Sequence, residues 1–314
     1  MALPVLKTVT RTQGNNKALK EGLVKPEGFE LEFEEVPVLV HAFRRMVRDL
    51  EFDVCEMALT TYLCAKEHGV KFTGIPMFLV RDFHHGAILH NVNHPVSDPR
   101  ELEGKQVGVN RGYTVTTGVW ARSVLQEEYG VDLDKVNWLL SGDEHVEAYK
   151  PPSNVKPIDA DKDIQQMLLD GKLAAAVNIK TDHPDIQSVI ADPQEAGISA
   201  FQRNGHYPIN HLVVIRDEIL EKYPDVAVSI FNAFAESKRI YMEQLLGGKL
   251  EEPTAIDRLY LRLHEMGADP LPYGIEPNMG MLDYLFKTAA SQHILREPVE
   301  LDKVFVPSTL DLIA

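Results

Sequence analysis

The residues of this 314-residue chain that could do chemistry gather most densely at Val80-Arg81-Asp82-Phe83-His84-His85-Gly86. There an apolar run from Phe72 to Val80 ends in an arginine and two adjacent histidines. The planar fork of arginine pairs with a carboxylate through two hydrogen bonds. Histidine titrates near neutrality, so it can give or take a proton at working pH. An arginine and histidines at the mouth of a buried strand therefore suit a small anion that is held and then exchanges a proton. The same letters also fit a solvated loop between two strands, and the local sequence does not decide between the two.

Other chemistries find less support. His84, His85, His90 and His94 fall within eleven residues, and His90 and His94 have the i,i+4 spacing that a helix turns into a ligand pair. Yet Gly86 to Val92 reads as a strand, Pro95 follows, and adjacent histidines on an extended segment point to opposite sides. No cofactor is expected, and a divalent metal is the lesser alternative. There is no Gly-x-Ser-x-Gly elbow, neither Cys55 nor Cys64 has a basic neighbour, and no glycine-rich nucleotide loop occurs.

The composition, 44% hydrophobic and 25% charged, is that of a globular chain long enough for two domains. A formal net charge of −15 disfavours nucleic acid or an anionic membrane as partner, since both are bound through excess Lys and Arg. It does not disfavour a small anion held in a local basic pocket, and assembly into a homo-oligomer stays open. Two cysteines give no disulfide framework, and the first residues carry no apolar leader, so a cytoplasmic location is expected.

The elements that must position these residues alternate. Strands are predicted at 3–10, 29–36, 52–57, 72–80 and 86–92, with helices at 15–21, 38–49 and 60–67 between them. Strand and helix in such alternation predict an α/β domain with a largely parallel sheet. The Pro-, Ser- and Asp-rich stretch 95–104 predicts a crossover into a second α/β domain. That domain carries strands at 106–109, 136–140 and 174–178 and helices at 116–129 and 164–169. The chain returns through His206-Tyr207-Pro208-Ile209-Asn210-His211 to a strand at 212–215, a long helix at 225–246 and a helical tail. The domains are thus 1–96 with 208–314, and an inserted 97–207.

Several blocks together resemble the 4,5-dihydroxyphthalate decarboxylase family. They are Phe52-Asp53-Val54-Cys55-Glu56-Met57, Arg81-Asp82-Phe83-His84-His85, Gly104-Lys105-Gln106-Val107-Gly108-Val109, the run Tyr113 to Arg122, Tyr129-Gly130-Val131, Pro208-Ile209-Asn210-His211 and Tyr273 to Asn278. Two points depart from the family pattern: His84 stands where a second arginine is expected, and Ser123 where a glycine follows Trp-x-Arg. The resemblance implies a two-lobed type II periplasmic-binding-protein-like fold, each lobe a mixed sheet flanked by helices, with a ligand cleft between the lobes. It implies cofactor-independent decarboxylation of 4,5-dihydroxyphthalate to protocatechuate and CO2 by acid–base chemistry.

On that basis Arg81 is the expected carboxylate anchor, with Arg111 second, in the loop before a helix whose free N–H groups attract an anion. Tyr113, Thr114, Thr116 and Tyr207 complete the expected substrate-binding set. His85 and His211 are the expected acid–base pair, and Glu56 orients a histidine or accepts from a ring hydroxyl. Each has a plainer reading: Arg81 paired with Asp82, His211 as a core histidine, Glu56 as a helix cap, Tyr207 as core filling. The rival for the whole chain is a solute-binding protein that holds a small aromatic carboxylate without transforming it.

Overall fold

A computed structural model describes residues 2–314. The chain divides into two compact units, one of residues 1–81, 211–282 and 299–314, the other of residues 82–210 and 283–298. In chain order the first pass runs β1 (Val5–Val9), α1 (Gly14–Lys20), β2 (Glu30–Phe33), α2 (Leu39–Asp49), β3 (Val54–Ala58), α3 (Leu59–Glu67) and β4 (Phe72–Arg81). The second unit follows with β5 (Ile88–Asn91), β6 (Gln106–Val109), α4 (Thr116–Tyr129), β7 (Asn137–Leu140), β8 (Val155–Pro157), α5 (Ile164–Leu169), β9 (Ala175–Val177), β10 (Ile186–Ser188) and α6 (Pro193–Asn204). The chain closes with β11 (Ile209–Arg216), α7 (Asp217–Lys222), α8 (Val226–Leu246), α9 (Ala255–Glu265), α10 (Met279–Ser291) and α11 (Leu301–Val304).

The sheet of the first unit has the order β2-β1-β3-β11-β4. β1 runs parallel to both β2 and β3, whereas β11 runs antiparallel to β3. Alternation along β3 and β11 sends Val54, Val213 and Ile215 into one core, where Leu6, Ile75, Met77 and Leu79 meet Phe231 and Phe234 of α8. α1 can lie close on α8 because residue 14 is glycine: a Cβ there would run into the Tyr241 ring.

The sheet of the second unit has the order β10-β5-β9-β6-β7-β8. Its middle strands β9, β6 and β7 are parallel, and the small side chain of Ala176 lets β9 pack tightly beneath Ile164, Leu168 and Leu173. α4 ends where Gly130 takes a left-handed φ of 68°, a conformation that a Cβ penalises.

Three expectations need correcting. The crossover lies at Arg81–Asp82 and not at 96–97, because β5 hydrogen-bonds to β9 and β10 and so belongs to the second sheet. Residues 283–298 also join the second unit, where Arg122 donates to Gln292 and Tyr149 to the His293 carbonyl. The strand expected at 86–92 opens as a 3-10 turn, His85–Ala87, which shortens it to Ile88–Asn91. The Pro-rich stretch 95–104 is instead a capped 3-10 turn at Pro99–Leu102 inside the second unit.

Candidate functional site

The chemistry of the first unit centres on Glu56. It is the middle residue of β3, flanked by Cys55 and Met57, and its side chain is fully buried. A carboxylate so placed is costly unless both oxygens find donors. Both do: Oε1 lies 2.6 Å from Nδ1 of His211, and Oε2 accepts the backbone N–H of Arg11 at 2.9 Å. The register explains the pairing. His211 faces Ala58 across β11 and β3, and Val213 faces Glu56, so Glu56 and His211 are diagonal neighbours on one face of the sheet. Glu56 is therefore a strand residue, and the helix-cap reading falls away.

The imidazole of His211 is further fixed by the edge of Phe43, with ring centroids 5.1 Å apart and planes at 89°. A carboxylate oxygen accepts, so Nδ1 is the donor in this bond and Nε2 is the nitrogen left for another partner. The His211 side chain is 18% exposed, and among the described residues Nε2 has no hydrogen-bond partner. A buried acid bonded to a partly exposed histidine is an arrangement whose chemistry allows transfer of one proton.

Arg11 belongs to the same place and was not singled out in the sequence. Its guanidinium is exposed and makes no hydrogen bond or ion pair among the described residues. The available signal was an arginine at the carboxyl end of the first strand, followed by the polar run Thr12-Gln13-Gly14-Asn15-Asn16.

Arg81, expected as carboxylate anchor, ends β4 as a buried residue. Its Nη2 donates to the side-chain oxygen of Asn278 and to the Pro272 carbonyl. Those bonds tie β4 to the Tyr273–Asn278 segment, where Tyr273 also receives Asn15 Nδ2 at 3.2 Å. Two of the motif blocks thus meet in a structural clamp. Asp82 is exposed and accepts its neighbour's N–H from Phe83, so no Arg81–Asp82 pair forms.

The other expected residues lie in the second unit. His85 is buried and donates from Nε2 to Glu128 Oε1 at 2.7 Å, while Arg203 holds Glu128 Oε2 at 2.7 Å. Burial tends to raise the Glu128 pKa, but the hydrogen bond from His85 and the charges of His85 and Arg203 outweigh it and hold the carboxyl below its ordinary value. His85 thus ties the turn before β5 to α4 and α6. His84 Nε2 lies 2.9 Å from Asn210 Oδ1, and Tyr207 packs against Phe83 with ring centroids 5.0 Å apart.

Tyr113 is covered on its ring face by the buried Arg122 guanidinium at 3.7 Å, which also donates to the Tyr113 carbonyl at 2.7 Å. The Tyr113 ring is thereby committed to the interior of its own unit. The N–H groups of Tyr113 and Thr114, with the Thr114 hydroxyl at 2.7 Å, bind the carboxylate of Glu144. The cradle before α4 does hold an anion, and here that anion is a side chain of the chain itself. Gly112 makes room for it, since a Cβ there would lie 2.6 Å from Glu144 Oε2. Thr116, first residue of α4, is buried. Arg111 is half-buried with a left-handed φ of 75°, and its guanidinium makes no ion pair among the described residues. Burial lowers its pKa.

Among the described residues no three His, Cys, Asp or Glu side chains are grouped to hold a metal ion; His90 Nδ1 instead accepts the Val96 N–H. No helix among them is long and apolar enough to cross a membrane.

The class defined by these two α/β units is the periplasmic-binding-protein fold. A conserved Candida albicans gene product described as having that generic fold matches with a TM-score of 0.55 at 15% identity, over 99% of this chain and 98% of its own. The desulfurization enzyme DszB matches at 0.53 and 12% identity over 98% of both chains. The alkanesulfonate-binding protein SsuA of Xanthomonas axonopodis pv. citri matches at 0.52 and 13%, over 98% of this chain and 99% of its own. The fold thus serves binders and enzymes alike, and by itself shows no activity.

Sequence comparison is more specific. The chain is 26% identical over 286 residues to the 4,5-dihydroxyphthalate decarboxylase of Comamonas testosteroni, covering 86% of each chain. It is 28% identical over 168 residues to that of Pseudomonas putida, covering 49% of this chain and 65% of the relative. No protein-family model matches the chain. The similarity is to the family that the motif blocks resemble.

Proposed function

We propose that the protein is a decarboxylase acting on a dihydroxylated aromatic dicarboxylate, 4,5-dihydroxyphthalate or a close analogue, by proton transfer at Glu56 and His211. The observation that carries the reading is the buried Glu56 carboxylate 2.6 Å from Nδ1 of a His211 side chain that is itself 18% exposed. The names of the two relatives supply the substrate class.

The chemistry suits the pair. His211 Nε2 takes the proton of the ring hydroxyl para to the leaving carboxylate, and Glu56 stabilises the imidazolium that results. The phenoxide raises electron density at the carbon bearing that carboxylate. This carbon takes a proton, the C–C bond breaks, its electron pair returns to the ring, and CO2 leaves. Aromaticity and the phenoxide are restored, and His211 returns its proton to the oxygen. One solvent proton is consumed per turnover, and the sequence of steps requires no organic cofactor. A receptor that only held the anion would have no need of a buried acid that fixes a histidine tautomer.

The test is turnover in D2O. Incubating the purified protein with 4,5-dihydroxyphthalate should give one CO2 and one 3,4-dihydroxybenzoate carrying a single deuterium at the vacated carbon. Absence of product at high protein concentration, with or without added divalent metal, would overturn the reading.

A further inference from the structure

We infer that Arg11 is the substrate-binding residue that seats the carboxylate the reaction keeps. The inference rests on the reading of Glu56 and His211 as the proton-transfer pair of an aromatic decarboxylase, and gives that site its anion specificity.

Arg11 stands just beyond β1, whose parallel neighbour β3 carries Glu56. Its main-chain N–H donates to Glu56 Oε2 at 2.9 Å, which pins its Cα beside the pair. Its guanidinium cannot neutralise Glu56, since that side chain is fully buried with both oxygens already engaged. Arg45, Arg100, Arg203, Arg216 and Arg239 all pair with carboxylates. Arg11 makes no such pair among the described residues, in a chain with 47 acidic side chains to 32 Lys and Arg. An exposed, unclaimed guanidinium whose own backbone supports the acid–base pair is placed to receive an anion from solution.

Electrostatics decides which carboxylate it takes. The leaving carboxylate loses its charge as CO2 forms, so a cation on it stabilises the ground state more than the transition state and slows the reaction. The adjacent carboxylate keeps its charge throughout, and a cation there binds both states equally. Its two oxygens also match the fork of an arginine, which a lysine does not reproduce.

The test uses Arg11→Ala and Arg11→Lys in the full chain. Neither substitution removes the backbone N–H that Glu56 accepts, and circular dichroism checks the fold. Kinetics with 4,5-dihydroxyphthalate are paired with calorimetry of phthalate, which has both carboxylates but no ring hydroxyl, and of benzoate, which has one. In Arg11→Ala, KM should rise about 10- to 100-fold, with kcat changing less. The affinities for phthalate and for benzoate should both fall by a similar factor, since each places a carboxylate on Arg11, and Arg11→Lys should recover only part. An Arg11→Ala protein with the wild-type KM and phthalate affinity overturns the assignment. If the wild-type protein binds phthalate through Arg11 but releases no CO2, the anchor stands and the decarboxylase reading falls.

Discussion

A carboxylate at the centre of a β-sheet has no water to solvate it, so the environment of Glu56 is fixed by what its two oxygens require. Removing one partner of a buried pair costs about 3–5 kcal/mol, far more than the pair contributes in net terms. The arrangement is thus weak evidence for stability and better evidence for a task. Glu56→Gln keeps an acceptor for Nδ1 but frees the histidine to change tautomer, so kcat should fall on the order of 100-fold or more with the fold intact. An unchanged kcat in that variant would separate Glu56 from the chemistry.

Arg81→Ala should act differently. It strips two hydrogen bonds from the 272–278 segment, and buried bonds to a charged group are worth about 1.5–3 kcal/mol each. Urea unfolding should therefore show destabilisation of a few kcal/mol. Full stability together with a raised KM would return Arg81 to the role of anchor. Glu56 and His211 were legible as types: a histidine opening an apolar strand, an acid inside one. Their contact joins residues 155 apart in the chain, a distance that carries no periodic signal. Arg11 escaped notice because a lone arginine after a strand looks like any solvated charge.

At the scale of elements, α4 carries most of the weight in the second unit. Its span was legible to the residue because an amphipathic period ends in a left-handed glycine. β8 and β10 were not, since three residues are too few to show a period. Nor was α6, which starts after Asp192 in a left-handed conformation.

Glu128 on α4 makes the pair with His85 and Arg203 testable by pH. Its folded pKa lies below the ordinary value of 4.5, so its stabilising contribution is fully present above that value. As pH falls below 4.5 toward the folded pKa, the contribution is lost. The stability gap between the wild-type protein and Glu128→Gln should thus be widest near neutrality and close on acidification, measured by urea unfolding at several pH values. A gap that stays constant would contradict the ion pairing. Gly112→Ala should push Glu144 out of its cradle before α4 and lower the melting temperature by several degrees. An unperturbed melting temperature would show that the loop yields without cost.

For the molecule as a whole, strand–helix alternation was enough to reveal two α/β units and a chain that leaves the first and returns to it. The positions where the chain crosses between the units were not legible. Pro, Ser and Asp mark surface turns, and 95–104 is such a turn, but unit membership is set by strand pairing, which places the crossing at Arg81–Asp82. The same logic carries residues 283–298 into the second unit, through hydrogen bonds that no local pattern announces. A net charge of −15 coexists with single cations that no carboxylate of the described residues claims, Arg11 in the first unit and Arg111 in the second. Under the proposed function, recognition of an anion rests on such local exceptions and not on the overall field.

The central claim, that Glu56 and His211 move the proton on which decarboxylation depends, is tested most directly by comparing CO2 release from 4,5-dihydroxyphthalate by the wild-type protein and by His211→Ala. CO2 should form with the wild-type protein, and kcat should drop by about 100- to 10,000-fold in His211→Ala. KM and the affinity for unreactive phthalate should stay near wild type. A His211→Ala protein that releases CO2 at the wild-type rate would contradict the account.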